Sequence, residues 1–251
     1  MATRAFDEGR VFGVTHGSAP FRVLALPGWL HTSRDWDGAL ASLGVGAIAL
    51  DLAGFGGATP EPAEAMGSAG YAAAVAGVLD ELTPPAVVVG HSFGGRVALH
   101  LAATHPERIA ALVLTGVPKL VRPTDPAPKA PLGFRVAKAL HRRGLMSDEK
   151  MEQRRRASGS ADYRNAPSVI MRNVLVAVTN ESYEEQLRAV RCPVELVWGE
   201  LDTAAPLAMA KQAAEVLRAS TEVTLTALPG IDHFTPTAAP EALAAAIGRH
   251  L

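Results

Sequence analysis

Short apolar runs alternate along the chain with stretches whose apolar positions recur every three or four residues. The runs at 10–16 (RVFGVTH), 21–26 (FRVLAL), 46–51 (GAIALD), 86–90 (AVVVG), 110–116 (AALVLTG), 194–199 (VELVWG) and 222–228 (EVTLTAL) read as β-strands. Between them DWDGALASL, SAGYAAAVAGVLDEL and GGRVALHLAATH carry the helical period, and PLAMAKQAAEVLRAS and PEALAAAIGRHL follow the sixth and seventh runs, each led by Pro. Strand–helix alternation of this kind predicts an α/β fold built on a mostly parallel sheet. The central runs are apolar throughout, as strands covered on both faces must be.

Residues 118–188 break the rhythm. The stretch opens with PKLVRPTDPAPKAP, where prolines prevent regular structure, and continues with helical patterns rich in Arg and Lys. From Lys119 to Arg188 there are 14 Lys and Arg against 8 Asp and Glu, a net charge of +6 in a chain whose total is −1. An insert of this length between two sheet strands reads as a helical lid over one edge of the sheet. The predicted organisation is therefore a core of residues 1–117 and 189–251 with a lid at 118–188.

Composition narrows the function classes. A formal charge of −1 gives no global attraction to nucleic acid or an anionic membrane, and no segment approaches the ~20 apolar residues that cross a bilayer. The N-terminal stretch lacks an apolar signal-peptide core, and the single cysteine, Cys192, excludes an internal disulfide framework. The expectation is a cytoplasmic protein with a small-molecule substrate and neither nucleic acid nor membrane as partner. Cys, His and acidic residues show no metal-ligand spacing, so neither metal nor cofactor is expected. The composition is silent on oligomeric state.

Gly90-His91-Ser92-Phe93-Gly94 matches G-x-S-x-G and lies between a predicted strand and a predicted helix, the context that motif requires. A serine on so sharp a turn is held in strained backbone angles, and its neighbours two positions away must lack side chains for the chain to pass. The turn would raise the Ser92 hydroxyl above the sheet edge and set the Phe93 N–H at a helix N-terminus, where a developing oxyanion meets a donor and the positive end of the helix dipole. Gly95 adds close helix packing.

A serine hydroxyl needs a base, itself oriented by a third group, and with this motif the order along the chain is Ser, acid, His. VELVWGELDTAAP offers Asp202 three residues beyond a strand end, with Glu200 as competitor. LPGIDHF offers His233 in the loop after the last strand, flanked by Phe234. His100 and His250 fall on helices, His91 reads as packing, and His31 as a pocket residue in the loop after the second run. That loop, LALPGWLHTSRDW, also offers the second oxyanion donor: Gly28 allows close backbone approach and Trp29 supplies the N–H.

With GHSFGG (90–95), PGW (27–29) with Trp36 beyond it, DLAGFG (51–56), WGELD (198–202) and DHF (232–234) in place, the chain resembles the α/β-hydrolase fold superfamily over essentially its full length. The resemblance implies an eight-stranded, mostly parallel sheet flanked by helices, a lid inserted after the sixth strand, and a triad of Ser92, Asp202 and His233. Pro27 stands where many relatives carry His, and Ala53 where many carry Pro; neither change removes a backbone donor. A serine nucleophile disfavours the dehalogenase and epoxide-opening branches, which use Asp.

The reaction expected is hydrolysis of a carboxylic ester or thioester through an acyl-enzyme. The same residues also serve C–C bond hydrolysis of a dienoate and proton-abstracting lyase chemistry, both on anionic substrates, and a non-catalytic receptor would keep the fold. Arg164 and Arg172, set among apolar residues of the lid, are the candidates to meet a substrate carboxylate, and Met171 to line the acyl site. Arg154, Arg155 and Arg156 read as a solvated face.

Overall fold

All seven apolar runs form strands, and an eighth lies ahead of them. The computed structural model describes residues 3–56, 59–121 and 132–251. Its strands are β1 (Thr3–Phe6), β2 (Val11–His16), β3 (Phe21–Leu26), β4 (Gly46–Asp51), β5 (Ala86–His91), β6 (Ile109–Thr115), β7 (Val194–Gly199) and β8 (Val223–Leu228). They form one sheet in the order β1-β2-β4-β3-β5-β6-β7-β8. The β1–β2 and β2–β4 pairs are antiparallel, and every pair from β4–β3 onward is parallel. β1 escapes the apolar pattern because it is an edge strand with only Phe6 buried.

The helices are α1 (Asp37–Ala41), α2 (Ser68–Val75), α3 (Ser92–Thr104), α4 (Leu132–Arg142), α5 (Asp148–Ser158), α6 (Ala161–Asn165), α7 (Val169–Thr179), α8 (Glu184–Ala189), α9 (Leu207–Leu217), α10 (Thr235–Ala238) and α11 (Pro240–Gly248). Alternation along the central strands divides the core in two. Ala86 and Val88 of β5 face one layer, with Tyr71 and Val75 of α2, Val97 of α3, Leu187 of α8 and Ala213 of α9. Val87 and Val89 face the other, with Leu40 of α1 and Leu243 and Ile247 of α11. The helical pattern at 68–82 is α-helical only to Val75 and continues as a 3-10 helix, Ala76–Glu81.

Between β6 and β7 the chain forms α4 to α8. The prolines at 123–131 of the insert's opening lie outside the described residues. Ser147, Ser160 and Ser168 start α5, α6 and α7 by accepting hydrogen bonds from the N–H groups of Lys150, Tyr163 and Met171. Tyr163, Met171, Val174, Leu175 and Val178 are continuous with the first core layer, so α6 and α7 have no separate core. α8 packs against α3 and α9. In α4 only Ala137 is buried among the described residues, and Leu132 is 72% exposed.

The base of the insert is clasped by Arg96 of α3. Its guanidinium donates to the Val178 carbonyl (2.7 Å) at one end of the insert and to the Pro118 carbonyl (3.3 Å) at the other. Lys119 adds a bond to the Thr179 carbonyl at 2.6 Å. Glu181 then caps α2, accepting from Ser68 N–H (3.1 Å) and from the Tyr183 hydroxyl (2.6 Å).

Candidate active site

The carboxyl ends of β3, β5, β6, β7 and β8 meet at one edge of the sheet, and the polar residues singled out in the sequence converge there. Ser92 sits between β5 and α3 with φ +50°, the left-handed region that costs an ordinary residue about 1–2 kcal/mol. The flanking glycines permit it. A Cβ on Gly90 would lie 2.6 Å from the Gly94 carbonyl oxygen, and one on Gly94 would lie 2.3 Å from that of Leu26.

His233, in the loop after β8, has Nε2 3.1 Å from Ser92 Oγ and Nδ1 2.8 Å from Asp202 Oδ2. Asp202, in the loop after β7, is buried, and its other oxygen accepts the N–H groups of Ala204 (2.9 Å) and Ala205 (2.7 Å). Trp198 Nε1 fastens that loop by donating to the Ala205 carbonyl at 2.6 Å. With both backbone donors on one oxygen, the other is left to accept from His233 Nδ1–H, which leaves Nε2 unprotonated and facing the serine. The competitor Glu200 is exposed.

His91, read from the sequence as packing, is buried and has a second role: its Nε2–H donates to the His233 carbonyl at 2.8 Å. Burial, and then the neighbouring His233, push its pKa down to about 3. The ring stays neutral and places no second positive charge against His233, whose ring centroid is 4.9 Å away. Gly116 is the other contributor missed. It directly follows β6 at φ +59°, and a Cβ there would stand 3.2 Å from the His233 ring and 3.3 Å from Asp202 Oδ2. The only signal for it in the sequence is a glycine at a strand end.

Gly28 and Trp29 lie beside the serine, for a Cβ on Gly28 would be 3.5 Å from Ser92 Cβ. The Trp29 ring packs edge-on against Phe93 (5.7 Å) and Phe55 (5.0 Å), and Tyr71 closes on Phe93 at 4.8 Å. This aromatic cluster fixes the backbones of Trp29 and Phe93 relative to each other. Among the described residues neither backbone N–H has an acceptor. Met171 is buried on Gly54 and lies 3.8 Å from the Tyr71 hydroxyl. The rings of His31 and Phe234 lie with centroids 5.5 Å apart, and that of Phe234 is 5.8 Å from His233.

Arg164 and Arg172 each have a partner within the insert. Arg164 is exposed and donates to the Gly159 carbonyl. Arg172 is buried but paired with Glu152 at 2.8 Å. Both had apolar sequence neighbours; the partner of Arg164 is local, and that of Arg172 is brought from α5. In the run of three arginines, Arg156 also pairs with Glu152, at 3.1 Å. A cavity of about 500 Å³ opens among α4, α5, α6 and α7, lined by Phe134, Met151, Tyr163 and Leu175, and none of Ser92, Asp202 or His233 borders it. Among the described residues no cluster of three or more His, Cys, Asp or Glu is arranged to hold a metal ion, and no helix is long and apolar enough to cross a membrane.

A model of the alpha/beta hydrolase family matches residues 23–246. The chain is 43% identical to Lipase LipV of Mycobacterium tuberculosis over 98 residues, 39% of this chain and 37% of that protein. It thus spans little more than a third of the length of the first curated relatives it matches. A longer match, 27% identical over 216 residues, covers 76% of this chain and 70% of a 2-hydroxy-6-oxononadienedioate/2-hydroxy-6-oxononatrienedioate hydrolase of Burkholderia vietnamiensis. Among solved structures, a thermophilic esterase from Thermogutta terrifontis superposes with a TM-score of 0.66 at 22% identity, covering 96% of this chain and 93% of that one. At that identity the likeness is one of fold.

Proposed function

The chain belongs to the alpha/beta hydrolase family, and we propose that it is a serine hydrolase cleaving carboxylic esters or thioesters of small molecules through an acyl-enzyme. The observation that carries the reading is the unbroken chain of contacts from Asp202 through His233 (2.8 Å) to Ser92 (3.1 Å), with the serine in a left-handed turn at the head of α3. In this reading Ser92 Oγ attacks the carbonyl carbon while His233 Nε2 takes its proton, and Asp202 holds the imidazole and the imidazolium that forms. The oxyanion is met by the N–H groups of Trp29 and Phe93 and by the α3 dipole. His233 returns the proton to the leaving alkoxide or thiolate. Water, deprotonated by the same nitrogen, then releases the acid.

The helices α4 to α7 act as a cap over this edge and shape the acyl site, with Met171 on its wall; the base clasped by Arg96 supports that assignment. A cytoplasmic location goes with the reading, supported by a single, buried cysteine. Fluorophosphonate labelling tests the acyl-enzyme directly. Ser92 in the folded protein is expected to label and Ser92→Ala is not; a folded wild type that stays unlabelled overturns the proposal.

A second reading, C–C bond hydrolysis, draws support from the relative named for a dienedioate, whose match covers 76% of this chain. Turnover of a ring-cleavage dienoate faster than of any simple ester would select it.

A further inference from the structure

His31 follows the candidate oxyanion donor by two residues, in a turn where Leu30 has φ +57° and the His31 N–H donates to the Gly28 carbonyl at 3.1 Å. The turn sets its ring between residues that neighbour the two reacting groups, 6.0 Å from the ring of His91 and 5.5 Å from that of Phe234. Its Nδ1 is bonded to Asp35 one turn on, in a 3-10 helix (Ser33–Trp36) capped by Thr32. The imidazole is therefore anchored on one side, while the side chain remains 32% exposed against 20% for Asp35. Nε2 has no partner among the described residues. The two arginines that the sequence offers to a substrate carboxylate are engaged elsewhere, Arg172 with Glu152 and Arg164 with the Gly159 carbonyl, and Arg96 is held by the carbonyls that clasp the insert.

Building on the ester-hydrolase reading, we propose that His31, anchored by Asp35, is a specificity-determining residue whose Nε2–H receives a carboxylate at the far end of the substrate. The substrate class is then the monoesters of short dicarboxylic acids. Carboxylate recognition needs the imidazolium, because with Nδ1–H on Asp35 a neutral ring presents only a lone pair at Nε2. The hydrogen bond to Asp35 raises the pKa of His31, partial burial opposes it, and the charge of Asp35 adds to the rise. The other titratable groups facing it are Asp162 of α6, which also favours the charged form, neutral His91 at the end of β5, and His233 beside Phe234 in the β8 loop. Asp162 helps charge the ring yet repels an incoming carboxylate.

The test compares monomethyl succinate, glutarate and adipate with uncharged methyl hexanoate, on the full chain between pH 6 and 9, where the half-esters stay ionised. The quantity read is the ratio of kcat/KM for half-ester over neutral ester, which cancels changes in the shared chemistry. For at least one half-ester the wild-type ratio should fall about tenfold as His31 loses its proton, the size of a charged hydrogen bond that is partly exposed. His31→Gln should give the low ratio at every pH, Asp35→Asn should move the midpoint to lower pH, and Asp162→Asn should raise the ratio on its low-pH plateau while moving the midpoint to lower pH. A ratio independent of pH in the wild type for all three half-esters overturns the inference, even where His31→Gln fails to fold. The ester-hydrolase reading fails separately, through absent Ser92 labelling and no turnover of methyl hexanoate. In that case calorimetry with glutarate on Ser92→Ala decides the subsite: pH-dependent binding lost in His31→Gln upholds it, and its absence refutes it.

Discussion

Replacing Asp202 by Asn isolates the orienting role of the carboxylate at almost constant volume. One oxygen accepts two backbone N–H groups, from Ala204 at 2.9 Å and Ala205 at 2.7 Å, and the other faces His233 Nδ1 at 2.8 Å. Asparagine has one acceptor oxygen, and the two backbone donors claim it. Turning the amide over would set its NH₂ against both donors and leave them buried and unpaired, at about 1–3 kcal/mol each. The NH₂ therefore faces Nδ1, which must accept, and the proton moves to Nε2, opposite Ser92 Oγ. The base is lost while the backbone bonds survive. The expected cost is on the order of 10⁴ in kcat, equivalent to about 5.5 kcal/mol in the barrier, with stability lowered by only about 1 kcal/mol, or roughly 2–4 °C in Tm. Initial rates with p-nitrophenyl butyrate, beside a thermal melt, measure both quantities. Exposed Glu200 is the control, and Glu200→Gln should stay within twofold of wild type. A folded Asp202→Asn enzyme within tenfold of wild type, or an equal loss in Glu200→Gln, would refute the assignment.

Three further perturbations address the supports of the site. Gly116→Ala puts a methyl group 3.2 Å from the His233 ring at φ +59°; kcat/KM should fall ten- to a hundredfold with a loss of about 1–2 kcal/mol in urea unfolding, and unchanged rates would show that the pair tolerates displacement. His91 is held neutral with its pKa at about 3 against an ordinary 6.5, so the unfolded state binds the extra proton. Its contribution is complete above pH 6.5 and is lost as pH falls toward 3, by about 1.4 kcal/mol per pH unit; His91→Gln should flatten that part of the stability–pH curve, and parallel curves would refute the account. Arg96→Met leaves the Val178 and Pro118 carbonyls without their donor; about 2–3 kcal/mol of stability should go, and faster hydrogen exchange should appear in α7. Exchange that rises evenly over the whole chain instead would mean that Arg96 does not clasp the insert.

What was legible in the sequence is what local sterics and periodicity enforce. Gly90 and Gly94 are written around Ser92 because no side chain fits where the strand, the turn and the helix cross, and that constraint acts within five residues. The strands could be read because burial on both faces demands unbroken apolar runs; β1 could not, since an edge strand with three of four residues exposed carries no such demand. The residues that tune the site are of the second kind. His91 shares its sequence position with any packing histidine until the β8 loop, 142 residues later, brings the His233 carbonyl to its Nε2. Arg172 invites a substrate carboxylate until α5 brings Glu152 against it. A charged side chain in a sequence states what it can bind, and the fold decides whether a partner has already claimed it. By that criterion Arg164 and Arg172 are already engaged, while Asp35 occupies only one of the two nitrogens of His31.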